Sequence, residues 1–445
     1  MATFHLVSLG CAKNLVDSEV MLGILHEAGW ELSEDPSAAE VLIVNTCGFI
    51  QPAVEEALEV ILELAQYKEK DKNKFLVVTG CLVQRYLTGL SKDMPEIDLL
   101  VGTEGVGEIA HLLQKLLVGE QTERSYCPDR FLMNSNLPRI LSTPFFRSSV
   151  KITEGCSNRC TYCMIPSIRG DLRSRNIPDI IAELKHLEAG GVKEISLIAQ
   201  DLTAYGNDLE AKSNLISLLT AILQETNIPW LRLMYLYPSG VTEELFELMR
   251  TEKRILPYMD IPFQHVSDPI LKNMHRRYGY DDLCKFVEGI RNSVPDIALR
   301  TTMMVGFPGE TERDIRKMEQ FLEKYEIDHV GVFSYTNEEG ARSEFFKDQV
   351  AEDVKLERME RILALQAGIS EEILKKYIGK IVPVLVEGLS QETDLLLEGR
   401  MVYQAPDIDG IVYINDGIAN PGDIVKVRIT EAQIYDLVGG IVQEG

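Results

Sequence analysis

The chain has 445 residues, 45% of them hydrophobic and 26% charged, a balance that excludes a disordered or fibrous protein and suggests about three domains at roughly 150 residues each. Its 45 basic and 69 acidic residues give a net charge of −24. That charge opposes a large phosphate-binding surface, which needs clustered Lys and Arg, and suits a basic protein partner drawn in by the negative field.

No apolar run approaches the roughly 18 residues of a membrane span. The opening, Met1-Ala-Thr-Phe-His-Leu-Val-Ser-Leu-Gly10, lacks a basic segment ahead of an apolar stretch, so a cytoplasmic location is expected. In that compartment the eight cysteines, at 11, 47, 81, 127, 156, 160, 163 and 284, read as ligands or catalysts rather than disulfides.

Residues 1–125 alternate strand-like and helical patterns. Phe4–Ser8, Val41–Asn45 and Phe75–Thr79 read as strands, Val16–Ala28 and about Pro52–Lys68 as helices, with Pro52 suited to a first helical turn. Such alternation predicts a parallel sheet covered on both faces. Cys11, Cys47 and Cys81 each lie two or three residues past one of these strands. Parallel strands end at one edge, where ligand sites form, so the three should converge.

Residues 126–147, with several Pro and Ser, read as a linker, and Cys127 within it as incidental. Residues 148–376 carry six strand-like runs (Val150–Thr153, Glu194–Ile198, Leu231–Leu236, Tyr258–Ile261, Ala298–Val305 and His329–Phe333) with helical patterns between them. Six βα units predict a partial barrel with its site at the C-terminal strand ends. Residues from about 351 to 376 read as a charged connecting helix. Residues 377–445 lose helical periodicity, and five β-rich pieces (Ile381–Glu387, Asp394–Glu398, Gly410–Ile414, Ile424–Ile429 and Gln433–Val438) predict a small barrel of oligonucleotide-binding type. Its 4 basic and 11 acidic residues, net −7, speak against nucleic acid and for a basic protein.

Glu154-Gly-Cys156-Ser-Asn-Arg-Cys160-Thr-Tyr-Cys163 follows the first barrel strand. Cys-x3-Cys-x2-Cys puts three thiolates on one loop. A closed zinc site normally takes four ligands, whereas three cysteines on a cubane iron–sulfur cluster leave one iron open. An open iron is what reductive cleavage of S-adenosylmethionine (SAM) needs.

On this loop and barrel the chain resembles the radical SAM superfamily, and with a three-cysteine N-terminal domain and a C-terminal β domain (TRAM) it resembles the methylthiotransferases. One branch of that family modifies tRNA adenosines, the other an aspartate of small-subunit ribosomal protein S-twelve. Ser8-Leu-Gly-Cys-Ala-Lys-Asn-Leu-Val-Asp-Ser-Glu19, Asn45-Thr-Cys-Gly-Phe-Ile50, Ile165-Pro-Ser-Ile-Arg-Gly-Asp-Leu-Arg-Ser-Arg175 and Gln200-Asp201 resemble the second branch. Ala12 departs from its usual Pro but is not a ligand.

The resemblance implies that Cys156, Cys160 and Cys163 hold a 4Fe–4S cluster that cleaves SAM, and that Cys11, Cys47 and Cys81 hold a second, sulfur-delivering 4Fe–4S cluster. SAM then serves as both methyl donor and radical source. A radical is needed because the β C–H of an aspartate is not acidic enough for a side-chain base tuned near neutral pH. Implied partners are ribosomal protein S-twelve and an electron donor of flavodoxin or ferredoxin type. The chain is expected to be a monomer, with weak or no nucleic-acid contact.

Val305-Gly-Phe-Pro-Gly-Glu310, opening a helix after the fifth barrel strand, could seat the SAM carboxylate; an ordinary tight turn is the other reading. Val305, Gly306 and Glu310 there, with Tyr162, Gln200 and Arg300, are the candidate SAM-binding residues. Arg169, Arg173 and Arg175 could bind a carboxylate bidentately or line a solvated loop. Lys13 and Asn14 could gate the second cluster. The seven scattered His read as structural, and Cys284 as a buried apolar residue. The competing functions are tRNA methylthiolation and a non-catalytic, zinc-stapled RNA-binding module.

Overall fold

A computed structural model describes residues 2–120, 123–210 and 213–442. The N-terminal sheet contains β1 (Thr3–Ser8), β2 (Glu31–Leu32), β3 (Val41–Thr46), β4 (Phe75–Gly80), β5 (Leu99–Val101) and β6 (Ser125–Tyr126). All pair in parallel, in the order β2-β1-β3-β4-β5-β6. Every residue of β3 is buried, as a near-continuous apolar run covered on two faces requires. Helices α1 (Ala12–Glu27) and α4 (Ile109–Leu117) pack on one face, through Val16, Val20 and Leu113. Helices α2 (Gln51–Lys70) and α3 (Cys81–Asp93) pack on the other, through Ala57, Ile61 and Val83.

The expected linker does not run free. Ser125–Tyr126 is the sixth strand of the sheet. Arg139 is held by Glu19 and Glu183, both at 2.6 Å, which clasps α1 to the second domain.

The second sheet contains β7 (Arg147–Lys151), β10 (Glu194–Ile198), β11 (Trp230–Leu233), β12 (Ile255–Asp260), β13 (Ala298–Val305) and β14 (His329–Ser334), all parallel and in chain order. A two-stranded ribbon, β8 (Thr153–Glu154) with β9 (Arg173–Ser174), brackets the cysteine loop. The helix Glu352–Lys375 is no mere connector, because Ile362 is fully buried in the core of this domain.

The C-terminal strands β15 (Ile381–Leu389), β16 (Leu397–Met401), β17 (Val412–Asp416), β18 (Ile424–Ala432) and β19 (Leu437–Ile441) close into a barrel. The last begins later than its sequence suggests, since Gln433 N–H donates to the Asp436 carbonyl (2.8 Å) and makes a turn there.

The inner face of the second sheet is where the domains meet. Ile198, Met234 and Tyr258 share a core with Phe4 and Val16 of the N-terminal domain and Leu385 and Ala405 of the C-terminal one. Buried ion pairs reinforce the C-terminal junction: Glu194 binds Arg232 (2.7 Å) and Arg400 (2.6 Å), and Asp409 binds Arg300 (2.8 Å).

Candidate active site

Cys11 immediately precedes α1, Cys47 lies between β3 and α2, and Cys81 is the first residue of α3. All three therefore stand at the C-terminal edge of the sheet, two of them at helix N-termini, whose dipole favours thiolate and other negative charge. Two glycines allow the strand ends to approach this closely. Gly10 has φ +91°, and a Cβ there would lie 2.7 Å from the Cβ of Cys47; Gly80 has φ +100°, and a Cβ there would lie 2.6 Å from the Thr46 carbonyl oxygen. Gly10→Ala should therefore cost at least about 1–2 kcal/mol for the left-handed backbone alone, measured by denaturant unfolding, with Cys11 pushed away from Cys47.

The second triplet sits on the loop between β8 and β9. Cys156 N–H donates to the Gly170 carbonyl (3.1 Å), Thr161 N–H to that of Met274 (3.2 Å), and Cys163 N–H to that of Cys160 (3.2 Å). Arg159, between the first two cysteines, has φ +58°, uncommon for a non-glycine residue.

All six cysteines line one cavity of about 310 Å³. Each triplet has one arginine against a sulfur, Arg169 buried and Arg276 half-buried. Arg169 Nε donates to Cys81 Sγ at 3.3 Å, and Arg276 Nη1 to Cys160 Sγ at 3.6 Å. Burial opposes ionisation of Cys11, but the charges of Lys13 and Arg169 and two backbone N–H groups outweigh it and hold the thiol below its ordinary pKa. Burial pushes Cys81 and Cys156 up to about 11 and Cys163 to about 12. Among the described residues no three His, Cys, Asp or Glu side chains close on a single metal ion. The cysteines instead face one another around a shared space.

Behind this wall is a buried network. Arg169 binds Glu154 (2.9 Å), Asp17 (3.1 Å) and the Asn14 amide oxygen (2.6 Å), and Lys151 binds Glu154 (2.7 Å) and Asp17. Two cations thus face two carboxylates across the junction of the first two domains. Although burial disfavours the Glu154 carboxylate, Arg169 and Lys151 hold its pKa far below the usual range.

The other expected residues divide. Gln200 and Tyr162 line the cavity, and both polar atoms of the Gln200 side chain are buried without a protein partner. Lys13 and Asn14 line it too. Lys13 donates to the Ala199 carbonyl (3.3 Å) and lies 3.6 Å from the ring centroid of Tyr235.

Arg300 is not in the cavity. Its guanidinium turns to Asp409 of the C-terminal domain, because β13 presents that position to the inter-domain seam. Nor do Val305, Gly306 and Glu310 reach it. Glu310 closes its own turn by accepting from Gly306 N–H (2.8 Å) and is bound by Arg358 (2.7 Å) and His265 (3.2 Å), while the Lys355 side chain packs against Gly306. The segment makes a tight turn closed by its own chain and by Arg358, His265 and Lys355. Arg173 and Arg175 are also spent internally, on Glu104 and on Asp179 and Glu183.

Sequence reading missed Tyr235, Gln264 and Arg276, which line the cavity. Tyr235 (φ +62°) and Gln264 (φ +69°) are held in left-handed backbone, a strain that collects at functional sites. The one legible signal was the position of Tyr235, two residues past β11, the offset that marked the cysteines; Gln264 lies four residues past β12 and Arg276 sixteen.

Comparison with known proteins covers the whole chain. Residues 3–102 match the uncharacterized protein family UPF0004, residues 150–322 the radical SAM superfamily and residues 378–442 the TRAM domain. A relative from Desulfotalea psychrophila, named ribosomal protein uS12 methylthiotransferase RimO, is 58% identical over 99% of both chains. One of the same name from Citrifermentans bemidjiense is 46% identical over 98% of both. Among solved structures, the radical SAM methyltransferase TsrM from Kitasatospora setae aligns with TM-score 0.58 at 14% identity, covering 83% of this chain and 89% of its own. At that identity the likeness concerns the fold alone.

Proposed function

The chain belongs to the family of ribosomal protein uS12 methylthiotransferases, and from that premise we propose that it adds a methylthio group to the β-carbon of an aspartate of uS12, the protein called S-twelve above. The observation that carries this reading is the shared cavity. Two cysteine triplets from different domains face one space, where a carbon activated beside one can receive sulfur held by the other.

The donors fit iron–sulfur chemistry. The chain's own ligands are thiol sulfurs in two sets of three, the pattern that leaves an iron open, and the guanidinium beside each set offsets the negative charge that thiolates bring. When bound, two 4Fe–4S clusters and SAM supply the radical and the sulfur. The protein's part is placement. Gln200 presents an unpartnered amide to a polar ligand, and Arg276 is fixed by Tyr278 OH (2.6 Å) and by the Tyr237 ring, 4.4 Å away. The tyrosines and Pro262 give an apolar wall that limits water around a radical.

Gln200→Ala should weaken SAM binding by about ten-fold, the value of one well-made hydrogen bond to a charged or polar ligand. Arg300→Ala should leave SAM affinity unchanged and loosen the C-terminal domain instead. Equilibrium binding and thermal unfolding of both variants separate these outcomes.

A basic ribosomal protein suits the net charge of −24 better than tRNA does. The acidic C-terminal barrel is the docking surface in this reading, the electron donor is of flavodoxin or ferredoxin type, and the enzyme works as a cytoplasmic monomer. Among the described residues no helix is long and apolar enough to cross a membrane. Anaerobic reconstitution with iron and sulfide, followed by SAM, reductant and a mixture of uS12 and unmodified tRNA, tests the reading by mass spectrometry. Methylthio addition to the uS12 aspartate alone is expected; addition to tRNA alone would overturn the choice of substrate.

A further inference from the structure

Two segments of the second domain close on the Cys156–Cys163 loop, and both meet it at Thr161, between its second and third cysteines. Thr161 N–H donates to the Met274 carbonyl (3.2 Å) and its hydroxyl to that of Asn273 (2.8 Å), while Ser343 N–H donates to the Thr161 carbonyl (3.0 Å). His275 Nδ1 lies 3.0 Å from the Arg159 carbonyl oxygen. Beneath them Tyr162 packs against Ile270, Met274 and Phe307.

The charge of this surface runs against that of the chain. Residues 156–163, 268–277 and 341–347 hold six basic residues and two acidic ones, a net of +4 in a chain of −24. Counting the exposed Glu339 and Asp348 at the flanks of the third piece still leaves an excess of cations. Lys272, Arg277, Arg342 and Lys347 are exposed, and none forms an ion pair with a described residue. With 69 acidic residues to 45 basic ones, pairing is the ordinary fate of a cation on this chain, so four unpaired ones around one loop are a local exception. The carboxylates within the patch are engaged: Asp268 by Lys317 (3.2 Å) and Tyr280 N–H (2.8 Å), Glu344 by Gly340 N–H (2.8 Å). Phe345, between Arg342 and Lys347 in sequence, is 81% exposed, an aromatic contact point among charges. Arg277 also lines a cleft of about 290 Å³ that reaches Cys156.

Reductive SAM cleavage takes one electron from outside the chain. Resting on the methylthiotransferase reading, we propose that this basic surface docks an acidic electron-carrier protein, whose electron enters at the Cys156–Cys160–Cys163 site. The carrier is oxidised by one electron, and that electron breaks the sulfonium C–S bond of SAM to give methionine and a deoxyadenosyl radical. Electron transfer weakens steeply with distance, and Thr161, bonded to both segments, brings the docked surface within one residue of Cys160 and two of Cys163. Redox encounters are small and steered by charge. Four cations around one aromatic suit them better than the long basic track that a nucleic acid needs. The acidic barrel read above as the uS12 dock is a different domain, so the acidic carrier and the basic substrate are drawn to different places and bind together.

The test uses the reconstituted enzyme with reduced flavodoxin of net negative charge as one electron source and dithionite, which needs no dock, as the other. The variant is Lys272→Glu/Arg277→Glu/Arg342→Glu. Its affinity for flavodoxin, measured by calorimetry at low salt, should fall at least about ten-fold. Wild-type affinity should fall with added salt and stay unchanged when uS12 is bound. Deoxyadenosine release by the variant should fall with flavodoxin and keep the wild-type rate with dithionite. Should charge reversal prevent folding, Lys272→Gln/Arg342→Gln repeats the test with a smaller loss. Flavodoxin affinity and flavodoxin-driven release unchanged in a folded variant would overturn the proposal. Equal loss with both reductants would also overturn it, as would competition between uS12 and flavodoxin. Loss of tRNA binding with flavodoxin affinity unchanged would overturn it in favour of a nucleic-acid contact. Deoxyadenosine release from wild type without any change in uS12 would overturn the methylthiotransferase reading and leave the dock standing.

Discussion

Cys156→Ala should abolish SAM cleavage and methylthiolation together, whereas Cys81→Ala should abolish methylthiolation and spare SAM cleavage. The two triplets are built separately. Cys156, Cys160 and Cys163 ride on a loop pinned to Gly170 and Met274 of the second domain. Cys81 opens α3 of the first. Losing one sulfur leaves an iron unligated in one group without disturbing the loop that carries the other. Both alanines are small enough for the sites, so the fold should persist. Deoxyadenosine release and the mass of uS12, measured in parallel, separate the two halves. Loss of SAM cleavage in Cys81→Ala would mean that the triplets do not work independently.

Arg169→Met should destabilise the protein by about 3–5 kcal/mol, the usual cost of removing one partner from a buried ion pair. Arg169 is 3% exposed and Lys151 likewise. Without the guanidinium, Glu154 and Asp17 share the single Lys151 charge in a dry environment. Arg169→Lys should restore little, because one ammonium cannot make the four contacts to Cys81, Asn14, Asp17 and Glu154 that the planar fork makes. Denaturant midpoints of the two variants, taken with wild type, measure this. A cost below about 1 kcal/mol, typical of a surface pair, would show that the junction tolerates its loss.

The convergence of Cys11, Cys47 and Cys81 was legible because parallel strands share an edge, so a repeated offset in sequence becomes proximity in space. The six barrel strands and the five-stranded barrel were legible from apolar runs and turn residues. Arg300 was not, since a strand covered on both faces has no polar alternation to say which way a given residue points. The surroundings of the glycine turn at Gly306 were not legible for a different reason. Glycine there answers to φ +77° and to Lys355 arriving from a helix far along the chain, and no local pattern encodes that neighbour. The same holds for the Arg139 clasp and for the contact of Arg276 with Cys160, whose partners lie far away in sequence. Long-range charge pairing leaves no periodic trace, and it reinforces the apolar core that the domains share.

The most direct test of a single chamber with two iron–sulfur sites is the iron content of three anaerobically reconstituted proteins. Wild type should bind about eight iron atoms per chain, as two four-iron clusters require, and each triple variant, Cys11/Cys47/Cys81→Ala or Cys156/Cys160/Cys163→Ala, about four. About four in wild type, or none in either variant, would contradict two independently held clusters.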